Sequence, residues 1–183
     1  MNAKIIILYV FFVPMLVFAQ ECDTIIKPIK NSFFPLEVGN KYIYSIRSGY
    51  KKRNFIGYDT VTVLNKSIEE GYAVFKLSNK IVYYLKNDTV FSLNQLEFRG
   101  HDYNLLYFPS KKSSFPVLNG SCGFNFIESS FIPLYKHDKK SYMNCYKFYF
   151  PRENKVVIIA QGIGIIEIFQ NGITKMLVCA ELH

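Results

Sequence analysis

The sequence predicts an all-β chain: an antiparallel meander curved into a half-barrel or barrel, with a two-sheet β-sandwich as the alternative and little helix beyond a signal peptide. Three observations carry this. Short runs rich in β-branched and aromatic residues recur between tight turn signals along most of the chain. Asn171-Gly172 joins two of them and suits a type I′ turn, whose two central residues both need φ > 0. Convincing 3.6-residue periodicity is missing throughout, and the one weak helix candidate is Ser92 to His101.

The first segment stands apart from the fold. Lys4 gives a positive start, Ile5 to Val13 is an unbroken apolar run, and Val17-Phe18-Ala19 offers a signal-peptidase site with cleavage after Ala19. Pro14 interrupts the run and Gln20-Glu21 follow it at once, so the segment is short for a membrane span. The expected organisation is a signal peptide over 1–19 and a single β domain over 20–183, exported to the periplasm or beyond the cell, with no transmembrane segment in the mature chain. Cys22 is preceded by Glu21, where lipid attachment needs a small residue, so it reads as an ordinary cysteine and not a lipoprotein anchor.

The strands follow in order. Lys41 to Arg47 alternates, with Tyr42 and Tyr44 on one face. Ile56 to Leu64 alternates Val61 and Val63 against Thr60 and Thr62, and Asn65 to Gly71 reads as the turn after it. Tyr72 to Leu77, Ile81 to Leu85 and Thr89 to Leu93 complete a five-stranded meander. Asn94 to Asn144 is less regular, with strand pieces expected at Tyr103 to Phe108, Gly123 to Ile127 and Phe131 to Tyr135. Cys145 to Phe150, Lys155 to Ala160 and the hairpin Gly162 to Glu181 close the sheet. That hairpin is apolar on both faces, which predicts that it is covered on both. Many short antiparallel strands accumulate twist and curl.

Two stretches carry a resemblance. FFPLEVGNKYIY (Phe33 to Tyr44) resembles the opening of many small secreted proteins of Bacteroidota, and GIGIIEI (Gly162 to Ile168) resembles a strand near their C-termini. Tyr42 stands where Trp is common in that pattern. The resemblance implies export and a β fold, and it brings no catalytic residue.

Cys22, Cys122, Cys145 and Cys179 are candidate disulfide cysteines, and an exported chain with four of them allows three connectivities. The preferred pairing is Cys122–Cys145 with Cys22–Cys179. No CxxC spacing supports a zinc or redox site. Catalytic, cofactor-binding and metal positions are all read as none. Gly162-Ile163-Gly164 lacks the third glycine and following helix of a dinucleotide loop. His101-Asp102 and His137-Asp138 read as solvated loop residues. A hydrolase would need His101 or His137 to converge with Glu128 or a serine. Glu167, opposite Met176 in the hairpin, reads as solvent-facing, with a buried carboxylate as the sharper alternative.

The formal charge is +8, and lysines cluster at Lys51-Lys52-Arg53, Lys111-Lys112 and Lys139-Lys140. These could form a rim for an anionic envelope component, and export excludes nucleic acid as partner. Lys, Asn, Ile, Phe and Tyr abound together, as AT-rich codons alone would produce. Tyr42, Tyr44, Tyr58, Tyr72, Tyr83 and Tyr84 are either core packing or the lining of a ligand groove. The expectation is a non-enzymatic exported protein that binds an apolar or amphipathic ligand, such as a lipid, on a curved sheet. The alternative is surface interaction through basic loops.

Overall fold

The structure, a computed structural model, describes residues 33–49, 54–86, 89–94, 104–107, 114–118 and 124–183. Twelve antiparallel strands form one sheet: β1 Lys41–Ser48, β2 Asn54–Glu69, β3 Tyr72–Leu77, β4 Ile81–Lys86, β5 Thr89–Asn94, β6 Asn104–Tyr107, β7 Ser114–Leu118, β8 Phe124–His137, β9 Lys140–Phe150, β10 Lys155–Ala160, β11 Gly164–Gln170 and β12 Ile173–Glu181. Among the described residues the only helical turn is the 3-10 turn Pro151–Glu153 between β9 and β10.

The strand order is β6-β5-β4-β3-β2-β1-β12-β11-β10-β9-β8-β7. The two ends of the domain therefore pair with each other at its centre, and the middle of the chain supplies both edges. This order dictates curvature. Laid flat, twelve strands would span about 53 Å, yet the seven-residue step from Tyr107 to Ser114 that links the two edges can cover only about 25 Å. The sheet curls into a half-barrel, as the sequence predicts.

Two long strands turn the corners. The first half of β2 pairs with β1 up to Thr62, and the second half pairs with β3 from Val63 onward, with a register shift between Val63 and Asn65. In β8, Phe124 to Glu128 pair with β7, and Glu128 to His137 pair with β9. Such changes of partner, helped by a bulge, bend a sheet.

Several expectations need correction. The Asn65–Gly71 turn is the end of β2, and the reversal occupies Glu70 and Gly71, at φ 50° and 79°. Both faces of that half-strand meet solvent, so no apolar alternation marks it. Ser92 to Asn94 belong to β5 and not to a helix, and the rest of that candidate lies outside the described residues. The pieces at 123–127 and 131–135 form one strand; Pro133 is tolerated because that stretch pairs on one side only. β7 contains Pro116 and is an edge strand, a setting where a ladder accepts proline.

The closing hairpin forms as predicted. Asn171 and Gly172 sit at φ 50° and 77°, and Glu167 lies opposite Met176. Gly164 to Glu167 are all buried, as are Val157 to Ala160 beside them. β11 and β12 pair only from Glu167/Met176 to the turn. Beyond that point they part: β12 stays with β1 and β11 with β10.

Candidate functional site

The parting of β11 from β12 creates two environments, one on each side of the hairpin. On the inner side the N-terminal stretch Phe33 to Asn40 folds across the opening. Asn40 is wholly buried, and its side-chain Nδ2 donates to Pro35 O at 2.5 Å. Asn40 Oδ1 accepts from His183 N at 2.8 Å, while the backbone of Gly39 and Asn40 bonds Val63 on β2. Tyr42 Oη donates to the same Pro35 carbonyl at 2.8 Å. Phe33 packs edge-on to Tyr146, and Phe34 edge-on to Tyr83. The stretch is a plug tied to β1, β2 and the C-terminus.

The two stretches that carry the sequence resemblance touch here. Gly164 has φ +98°, and a Cβ on it would lie 3.7 Å from Pro35 Cδ and 4.0 Å from Phe33 O. The glycine serves strand geometry and the close approach of the plug. Strand β11 continues where a dinucleotide loop would need a helix.

Beneath the plug lies a cavity of about 80 Å³. Phe34 and Leu36 roof it; Tyr42, Tyr44, Val61 and Tyr83 form one wall; Leu77 and Ile81, with Ile165 and Ile168, form others. Its rim carries Asn79 and the ion pair of Lys175 Nζ with Asp59 Oδ2 at 2.7 Å. Tyr44 Oη reaches into the gap left by β12 and donates to Ile165 O at 3.1 Å. Burial holds these phenols protonated: Tyr42 is pushed from 10 up to about 12, Tyr83 further, and Tyr44 well above its ordinary value. The Tyr42 and Tyr44 hydroxyls are thereby kept as donors to Pro35 O and Ile165 O within an apolar wall.

Of the six early tyrosines, Tyr42, Tyr44 and Tyr83 line this cavity. Tyr58 is exposed and meets Phe55 edge-on. Tyr72 and Tyr84 pair with each other, and Lys86 lies over the Tyr72 ring.

On the other side of the hairpin the tip of the β8–β9 pair lies over β11 and β12. Tyr135 Oη donates to Glu167 Oε2, and His137 Nδ1 lies 3.7 Å from the same oxygen. His137 Nε2 is 3.6 Å from Asp138, which faces Arg47 Nη1 at 3.7 Å. Lys140 Nζ donates to Val178 O, and burial lowers the Lys140 pKa. Val178 is the bulged residue between the Ile43–Cys179 and Tyr44–Leu177 pairs, so the lysine satisfies a carbonyl that the ladder misses.

Glu167 is thus not solvent-facing; it is 8% exposed. His137 is not a solvated loop residue either, because it ends β8 with its side chain largely covered. Alternation along β11 gave the clue: Ile168 faces the cavity, so Glu167 must face the opposite layer. Sequence could not show that β8 and β9 fold over that layer.

Ser45 Oγ, the buried serine on β1, is spent on Met176 O at 3.4 Å. Cys145 is a free, buried thiol pushed from 9 up to about 11 by burial, so it stays protonated. Glu128 is exposed and pairs with Ser114 and Tyr149. Among the described residues no group of three metal-ligating side chains is placed to hold an ion. His101, Asp102, Lys51 to Arg53, Lys111, Lys112, Cys22 and Cys122 lie outside the described residues. Because Cys145 is free, the Cys122–Cys145 pairing is not formed. Cys179 is disulfide-bonded.

No family model and no curated protein matches the chain. Two solved structures resemble it. One is a Bacteroides fragilis protein described as a candidate exported protein with a YmcC-like fold: 11% identity, 82% of this chain and 99% of that one, TM-score 0.43. The other is a candidate lipoprotein of Parabacteroides distasonis: 10% identity, 82% and 98% coverage, TM-score 0.41. Likenesses of this size identify neither a family nor a site. With a lipoprotein among them, the reading of Cys22 as unlipidated gains no support from these neighbours.

Proposed function

We propose that this chain is an exported, non-enzymatic β protein that takes the apolar end of a small amphipathic molecule into the cavity beneath Phe33–Asn40. The carrying observation is the combination at one place of an apolar, tyrosine-lined space and an ion pair at its rim. Binding sites are concave, mostly apolar and marked by a few convergent polar groups. A dry cavity of about 150 Å³ admits benzene, and this one is about 80 Å³. The occupant is therefore the end of a chain or a small branch, with its polar head left at Asp59 and Lys175; a whole lipid is too large.

Protein purified from an exporting host would be extracted and the extract analysed by mass spectrometry. Octanoate and octylamine would then be titrated while the ring resonances of Tyr42, Tyr44 and Tyr83 are followed. Saturable shifts confined to those rings support the reading. Rings that ignore both probes, together with an empty extract, overturn it.

A further inference from the structure

The rim of the cavity holds binding capacity of both signs. Lys175 Nζ spends one of its three donors on Asp59 Oδ2, at 2.7 Å. Asp59 Oδ1 accepts no hydrogen bond among the described residues. Asn79, on the same rim, gives its Oδ1 to Ile81 N, and its Nδ2 makes no hydrogen bond among the described residues. Both members of the ion pair reach solvent, the Asp59 side chain being 25% exposed and that of Lys175 38%. They also stand next to the wall, since Asp59 pairs with Tyr44 and Lys175 with Ile168.

This rim selects heads by Coulomb's law. A lone carboxylate that approaches Lys175 also meets the Asp59 carboxylate beside it. A lone ammonium that approaches Asp59 also meets Lys175. Each gains one attraction and suffers one repulsion of similar range. A head that carries both charges can lie antiparallel to the ion pair and gain two attractions. Its charges must be close together, because the pair itself spans 2.7 Å. An α-amino acid meets that condition, with its ammonium and carboxylate on one carbon.

The space behind the rim sets the side chain. A cavity of about 150 Å³ takes the six carbons of benzene, so in proportion the 80 Å³ here takes about three, with a further methylene at the mouth. Valine, leucine and isoleucine carry branches of this size.

We propose that the ligand is a free α-amino acid with a branched aliphatic side chain. Its ammonium donates to Asp59 Oδ1, its carboxylate accepts from Lys175 Nζ and Asn79 Nδ2, and its branch lies against Ile165, Ile168 and the tyrosines. This rests on the cavity being a binding site and narrows its occupant.

Four titrations of the full chain from an exporting host test it, read by the ring resonances of Tyr42, Tyr44 and Tyr83. The ligands are L-leucine, 4-methylpentanoate, 3-methylbutylamine and glycine. The second and third keep the branch and one charge each; glycine keeps both charges and no branch. Leucine should bind about tenfold more tightly than either single-charge compound, the worth of one charge-assisted hydrogen bond. Glycine should leave the rings unmoved. Asp59→Asn and Lys175→Met should each erase the advantage of leucine, and the parent titrations decide even where a variant does not fold. Single-charge compounds that bind as tightly as leucine, or octanoate binding where leucine does not, overturn the amino-acid assignment and leave the cavity reading standing. Glycine binding as tightly as leucine, or an advantage that persists in both variants, also overturns it. Rings that ignore every compound, octanoate and octylamine included, overturn both.

Discussion

On one side of the β11–β12 hairpin, Ile165 and Ile168 look onto tyrosines and unfilled space. On the other side of the same strands, Glu167 is gripped by Tyr135 and neighboured by His137, with Arg47, Asp138 and Lys140 completing the layer. The residues that look most like catalytic machinery are those whose bonds hold one layer on another. The residues that look most like plain core leave room for a ligand. Titratable side chains and open space are separated by the thickness of one strand pair, and the proposed ligand site is the quieter side.

The largest way to stress this contrast is alkali. The folded state keeps Tyr42 protonated up to about 12 and holds Tyr44 and Tyr83 well above their ordinary value too, whereas unfolded tyrosines ionise near 10. A raised folded value means that this stabilisation is complete below pH 10 and drains away as pH climbs through about 12. Tyr42 alone accounts for a loss on the order of 2–3 kcal/mol. Urea unfolding at stepped pH should show a steep fall above pH 10, flattened in Tyr83→Phe. A profile level to pH 12 would mean that the phenols are wetter than their burial indicates.

The polar side should break through a single atom group. Glu167→Ala leaves Tyr135 Oη and the covering hairpin without their acceptor, and removing one member of a buried polar pair costs about 3 kcal/mol. Pairing Glu167→Leu with Tyr135→Phe should recover part of that loss, since apolar replacement of a whole buried pair is often neutral. Urea midpoints read the stability, and the response of the Tyr42 and Tyr83 rings to octanoate should survive in both variants. If either change abolishes that response, the two sides are coupled and the separation fails.

Filling the inner side should do the reverse. Ile81→Phe adds bulk to a half-buried cavity-lining position, and such overpacking costs about 1 kcal/mol where space exists to receive it. The expected outcome is near-parental unfolding with octanoate and octylamine binding abolished. A variant that still binds both would place the ligand elsewhere.

How much of this could be read beforehand varied with the distance between interacting residues. Asn171-Gly172 announced its turn because two neighbours must both take φ > 0. Tyr42 with Tyr44, and Val61 with Val63, announced buried faces through alternation. The second half of β2 was silent, since Asn65 to Glu69 bury neither face. No strand was expected around Pro116, and the piece holding Pro133 was expected as separate from the one before it, because sequence cannot say that a strand lies at an edge. The site was the least legible part. Lys175 meets Asp59 across more than a hundred residues, and the plug's Pro35 meets Gly164 across a similar gap. Glu167 stood out as a lone acid among apolar neighbours, yet the tyrosine that holds it comes from a stretch that looked irregular.

The finest test lies at the rim. Lys175 and Asp59 are only partly covered, so their attraction is weakened by solvent, and breaking a pair of this kind costs about 0.5 kcal/mol. Asp59→Asn should therefore leave the unfolding midpoint almost unchanged while altering what the mouth of the cavity prefers. With the carboxylate neutralised, Lys175 Nζ loses its partner and can meet an incoming anion. Octanoate should bind more tightly than in the parent and octylamine less, and the difference should shrink as salt is raised. Lys175→Met should invert that order. Equal responses of both probes in both variants would mean that the ion pair is a brace between β2 and β12, leaving the tyrosine-lined wall alone to choose the ligand.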